Sequence, residues 1–350
     1  MAQGPQRLVL RRGRVVVAGE PVPPARAEQE LVVDVAGRGE RAAVADTGLV
    51  GLAEVGDDVV VNTQAADLGL GSGGFDVVHV NLTRGLDGPG VAGAHVMKLN
   101  YSSLQHAVLP IEEPEPGWPL GRPAAVISLH GQLAPVAWAY GQARPGARLG
   151  YIQTTGGALP GSHSQVVGDL RGRGLLVGHL TAGAAYGGEA EAITTAGALD
   201  HGLRVLGWDA AVCGPGPGIL GTSTPLGHGG LTALETAHTA LALGCAVAIC
   251  PRMSSADPRP RHRGLSHHTR TVLELLLAPV TVAAPAGEAQ AVSAAAPGHT
   301  VREAQADLAG YAASGLPART MGRGIDQDEL FFAAALAGGA VLATMGDAHE

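Results

Sequence analysis

From about Val126 to the C-terminus the chain repeats one pattern: an apolar run, a loop rich in Gly, Ser and Thr, then a helical stretch. The runs AAVISL, RLGYIQ, LLVGHL, DAAVC, AVAIC and VTVAAP are almost continuously apolar, as strands covered on both faces are. Helical spacing appears between them. In GLTALETAHTALALG, for example, Leu231, Leu234, His238 and Leu241 fall on one face. Strands that alternate with helices close into a doubly wound, mostly parallel sheet, whose ligand binds beyond the carboxyl ends of the strands. An α/β domain is therefore expected over residues 126–350, and it is the part expected to carry a site.

Ahead of that domain the pattern differs. RLVLRRGRVVVAGE, QELVVDVAG, RAAVADTG, DDVVVN and FDVVHVNL are short Val- and Leu-rich runs at near-regular spacing, with no helical pattern among them. They predict a small β-barrel domain over residues 1–82. Residues 83–125 open on the Gly-rich stretch NLTRGLDGPGVAGAH (residues 81–95) and read as a linker and joint.

Composition narrows the partners. With 350 residues, 46% of them hydrophobic, the chain can bury a substantial core. Only 3% of residues are aromatic and the formal net charge is −8, which argues against nucleic acid as a partner. The start, MAQGPQRLVLRRGRVVV, lacks the uninterrupted apolar stretch of a secretory signal. The longest apolar run, LFFAAALAGGAVLATM, falls short of the ~20 residues that span a bilayer. A cytoplasmic protein with no membrane partner is expected. Cys213, Cys245 and Cys250 form no metal-type spacing and read as buried thiols. The last helix, with Phe331, Phe332 and Leu336, is either a surface for forming a homo-oligomer or the final core helix.

The loops that follow the strands are the informative part. GPGPGILGTST follows DAAVC directly, and its Gly214, Gly216, Gly218 and Gly221 with Thr222, Ser223 and Thr224 would let backbone N–H groups approach a phosphate. The glycine spacing also approximates a dinucleotide fingerprint, but no helix opens within it, and the P-loop lysine is missing. A tight structural turn is the remaining reading. After AVAIC comes PRMSSADPRPRHRGLSHHTRT, where Arg252, Arg259, Arg261, Arg263 and Arg270 face only Asp257. Ser266 is the expected N-cap of the helix HHTRTVLELLL, which would turn free N–H groups and the positive end of its dipole to the same space. Arginine forks grip carboxylate or phosphate in bidentate fashion; a solvated basic loop with no ligand is the other reading of the cluster.

His267 or His262, with Asp257 or Glu189, would handle proton transfer, although Glu189 sits at a helix start, where a carboxylate is favoured in any case. A metal held by His262, His267, His268 and Asp257 is the weaker reading: adjacent helical histidines point about 100° apart and the spacing matches no zinc pattern, so no metal is expected. His130, His163 and His228 each follow a strand end and, taken singly, read as satisfied polar residues.

On KLNYSSLQHAVLP, SLHGQLAP, GGALPGS, TAGAAYGGEAEA, GPGPGILGTSTPLGHGG, PRMSSADPRPRHRGLSHHT and TMGRG, the chain resembles a domain-of-unknown-function family of functionally uncharacterised bacterial, mainly actinobacterial, proteins. The resemblance spans nearly the whole chain and implies no reaction, cofactor or catalytic residue. The residues themselves point to an enzyme acting on a small anionic, in one reading phosphorylated, metabolite. The alternative is a non-catalytic small-ligand sensor.

Overall fold

Alternation decides the first unit. Five strands, β1 (Leu10–Ala18), β2 (Glu28–Val35), β3 (Gly39–Asp46), β4 (Asp58–Asn62) and β5 (Asp76–Asn81), close into a barrel in the order β1-β2-β3-β5-β4. Along β2, Gln29, Leu31, Val33 and Val35 are buried while Glu30 and Asp34 face water. A slip of one residue would reverse that pattern, so burial fixes the register. Val15, Val33, Val59 and Val61 fill the interior. Gln29 is buried but satisfied, its amide donating to the Gly19 and Ala53 carbonyls and accepting from the Ala53 N–H. All five strands expected from the sequence form.

The computed structural model describes residues 7–20, 27–70 and 73–347, and the chain divides into two units between Leu109 and Pro110. The second unit is built on eight parallel strands: β6 (Pro123–Ile127), β7 (Leu149–Thr154), β8 (Gly178–Ala182), β9 (Ala190–Ala192), β10 (Ala210–Pro215), β11 (Ala246–Cys250), β12 (Thr281–Pro285) and β13 (Thr300–Ala304). Their order is β9-β8-β7-β10-β6-β11-β12-β13, and every neighbouring pair is parallel. The six apolar runs are six of these strands. The two that the runs do not reveal, β9 and β13, are the sheet's edges; β13 is half-exposed along its length, so neither needs a continuous apolar sequence.

Helices cover both faces. They are α1 (Leu133–Ala143), α2 (Gln165–Gly172), α3 (Thr195–Asp200), α4 (Thr232–Ala242), α5 (His267–Leu275), α6 (Ala289–Ala295), α7 (Leu308–Ala313) and α8 (Glu329–Thr344). Alternate residues of β6 feed two cores, Ala124 and Val126 with α3 to α6, Ala125 and Ile127 with α1, α2, α7 and α8. The last helix is the final core helix: Phe331, Phe332 and Leu336 are buried. A Cβ at Gly339 would collide with the Val136 carbonyl, so the small residues of α8 serve close packing on α1. The apolar surface that suggested self-association is covered within the chain. Among the described residues, no helix is long and apolar enough to cross a membrane.

Trp208 locks the sheet to the turn that precedes β10. It is fully buried, and a Cβ at Gly150 or Gly178 would overlap its indole. Gly150→Ala therefore has to displace the ring. We expect a loss of about 1–3 kcal/mol, the usual cost of overpacking, read as a lowered urea midpoint. An unchanged midpoint would mean that the indole is not confined there.

Candidate functional site

The topology places a switch point between β6 and β10. β6 and β10 are neighbours, yet the chain leaves β6 toward α1 on one face and leaves β10 toward α4 on the other. This is a switch point of a doubly wound sheet, where the strand ends cannot be roofed by a single connection. The loops after the strands meet around it. Ala158 N–H donates to the Pro217 carbonyl at 2.6 Å and Gly161 N–H to the Tyr186 carbonyl at 2.6 Å. Gln132, just after β6, donates to the carbonyls of Cys250 and Pro251 at 3.0 and 3.1 Å. Gly230 lies against Ser128 and the His228 ring.

Asp257 organises the loop after β11. Its carboxylate has no exposed surface and takes a two-pronged grip from Arg259, 2.9 Å from Nε and 2.8 Å from Nη2. Arg252 approaches it to 3.4 Å and Arg323, from beyond α7, to 3.6 Å. Arg323 also pairs with Asp328 at 3.0 Å, and Asp328 accepts from the Ser254 hydroxyl at 2.7 Å. Ser254 Oγ in turn accepts from the Asp257 N–H at 2.9 Å. Asp257 is thus an anchor of the loop, and the acid–base role expected of it is not available to a carboxylate so fully engaged.

The arginines that looked free are mostly spoken for. Arg263 donates to the Asp257 carbonyl and Arg270 to the Leu265 carbonyl. Arg261 is exposed and, among the described residues, has no ion pair. Burial, followed by the charge of Arg259, pushes the Arg252 guanidinium down to about 10.

Four imidazoles gather beside these arginines. Ser266 is the N-cap of α5, as its position predicts: its hydroxyl accepts from His268 N–H at 3.2 Å and meets His262 Nδ1 at 2.7 Å. His262, His267 and His268 then lie with ring centroids 4.4–4.9 Å apart. His228, arriving from the loop before α4, stacks on His268 at 3.7 Å and 11° and stands 5.5 Å from His267. The separation of about 100° between helical neighbours does not keep His267 and His268 apart, because at the first turn both rings reach toward a third residue lying over the helix end. That residue is His228, which taken alone read as an ordinary polar side chain. Neither of its ring nitrogens, nor His267 Nε2, has a hydrogen-bond partner among the described residues. Arg252 Nη1 stands 3.2 Å from His268 Nδ1.

Other expected residues lie elsewhere or do other work. Glu189 pairs with Arg171 at a half-exposed position, so nothing marks it as an acid–base group. Gly214 lies inside β10 against Ile127, and Gly216 packs on the Ala158 carbonyl. Gly218 has φ +70° with open space where a Cβ would point. Gly221 bridges to His228, and Thr222 closes the exposed tip with Ser223 and Thr224, its hydroxyl 2.8 Å from that of Thr224. α4 begins only at Thr232, so no helix opens on the glycines as the dinucleotide and P-loop readings require. A second buried chain follows β6. Ser164 Oγ meets His130 Nε2 at 2.7 Å, and Tyr151 lies 3.3 Å from His130 Nδ1. Burial holds His130 down to about 4.

The family model described as "Protein of unknown function (DUF3866)" matches residues 42–339, from the third barrel strand to the last helix. No curated protein and no solved structure matches the chain.

Acid sensitivity follows from the imidazoles. Burial first, then Arg252 and Arg259, holds His262 down to about 3; burial first, then His228 and Arg252, holds His268 down to about 2. His228 and His267 are lowered too, by burial above all. An unfolded histidine titrates near 6.5, so between that pH and about 3 the unfolded chain binds more protons. Stability is full above about pH 6.5 and falls as pH drops. For Asp257, burial pushes the carboxyl up, but the Arg259 hydrogen bonds outweigh it and the net shift is downward; its contribution persists until pH falls below about 3.9. Unfolding free energies measured between pH 6.5 and 4.5 should slope by up to about 1.4 kcal/mol per pH unit for each such histidine. The slope should be shallower in His268→Gln, and an equal slope in both proteins would refute the assignment.

Proposed function

The chain belongs to the DUF3866 family, and we propose that it is an enzyme acting on a small metabolite that carries a phosphoryl or carboxylate group. The observation that carries this reading is the surplus of unanswered positive and N–H-bearing groups at the switch point. Asp257 and Asp328 answer Arg252, Arg259 and Arg323. Arg261 has no counter-charge, and buried nitrogens of His228 and His267 have no partner among the described residues. The positive end of α5 adds to the same field. Burial above all, then the charges of Arg252 and Arg259, depresses His262; an anion bound there would offset the second of these and raise its basicity where Ser266 already fixes its ring. His262 is accordingly the residue assigned to proton transfer, with Arg261 and the first turn of α5 binding the anion.

The test is thermal unfolding with inorganic phosphate. A ligand at ~100 times its dissociation constant adds about 2.7 kcal/mol to stability, which in a protein of this size raises the melting temperature by about 2–4 °C per kcal/mol. Arg261→Ala should abolish the shift while leaving the phosphate-free melting temperature unchanged, since Arg261 has no ion pair among the described residues. Arg259→Ala should instead lower the phosphate-free value, because it strips Asp257 of its main partner. A phosphate shift that survives Arg261→Ala would overturn the assignment.

A further inference from the structure

We propose that His228, His267 and His268 together bind one divalent transition-metal ion, with the anion of the preceding reading completing its coordination. Only the fourth ligand rests on that reading. One ligand nitrogen from each of the three residues lies within 4.8 Å of the others. His228 is more than nine-tenths buried, and both its ring nitrogens lack a partner among the described residues. His267 Nε2 is also buried without one. A buried, unmatched hydrogen-bonding group carries a standing desolvation cost, which a coordinated ion would remove.

The donor set selects the ion. All three donors are imidazole nitrogens. Asp257 is occupied by arginines, and the buried cysteine thiols are pushed upward by burial, Cys250 to about 12. Nitrogen-only sites suit zinc, cobalt, nickel or copper, whereas magnesium and calcium demand oxygen. Three imidazoles leave one position of a tetrahedron open, the pattern of catalytic zinc.

Two movements are required. Nitrogens bound at about 2.0–2.1 Å to one ion stand about 3.4 Å apart, so the rings must draw together. His228 is stacked face to face on His268, and its ring has to turn out of that stack and away from the Pro225 carbonyl, which favours its charged form. His268 has to give up Arg252. If the metal takes Nδ1, it displaces the guanidinium directly. If it takes Nε2, the ring proton moves to Nδ1, and an N–H then faces an N–H. Either route releases Arg252, and metal and arginine compete for one ring. The ion also enters a field of arginines, so an anion beside it should favour its binding, and by linkage the metal should favour the anion by the same factor.

The experiment uses the full chain, stripped with a chelator and titrated with Co2+ and Zn2+ by visible absorption and calorimetry, with and without inorganic phosphate. We expect one ion per chain, at least tenfold weaker binding in His228→Ala and in the half-buried His267→Ala, and tighter binding in Arg252→Gln. Failure to bind either ion, or unchanged binding in His267→Ala, overturns the site. If no ion binds while phosphate still raises the melting temperature through Arg261, the metal proposal falls and the anion reading stands. Stoichiometric metal binding that ignores phosphate upholds the metal site and counts against the anion reading.

Discussion

The candidate site of the α/β unit depends on one buried carboxylate. Asp257 has no exposed surface, and its oxygens collect Arg259, Arg252 and Arg323. Removing Asp257 should cost about 3–5 kcal/mol, because Arg252 would be left buried without its counter-charge. Ser254 joins this set to Asp328 and so to the turn before α8. The segment between β11 and α5 can therefore be long, polar and largely irregular and still hold its shape. The imidazoles are positioned by that frame together with the Ser266 cap.

Legibility in the sequence followed burial. Strands covered on both faces were readable because two-sided burial demands unbroken apolar runs, and the two edge strands were not, since nothing demands it of them. Ser266 was readable as a cap because capping is local chemistry between residues two apart. Arg323 and Asp328 were invisible as partners of the 251–271 cluster, Arg323 lying 66 residues beyond Asp257 and Asp328 74 beyond Ser254. Counting charges along the chain also overstated the free arginines, since it could not see Arg263 and Arg270 turn back to backbone carbonyls. His228 illustrates the same limit: only the fold brings it onto the α5 histidines. The signal that could have found it is that GHGG closes the loop directly before a helix and after an apolar strand.

The glycines of these loops let backbones touch. A Cβ at Gly229 would run into the Gly156 carbonyl, and one at Gly157 would meet the Gly216 carbonyl. The loops after β7 and β10 thus lie against each other as two bare backbones. Phosphate cradles and close-packed loops draw on the same residue for the same reason, the missing side chain. Glycine count alone does not separate them. Here Gly218, with open space beside it, is not claimed by packing.

The hydrogen-bond ladder between β10 and β6 stops at Cys213 and Val126. Beyond that row β10 continues through Gly214 and Pro215 in register with β7 alone, while Ile127 stays with Cys250 of β11. The sheet forks there. One prong carries the glycine loop and His228, the other carries Gln132 and, through β11, the Asp257 frame with the rest of the imidazoles. Beyond that row the prongs are held by packing, Gly214 lying against the Ile127 side chain and carbonyl, with no further rung between them. A group held between His228 and the α5 histidines would therefore join two strands that share no ladder hydrogen bond at that level.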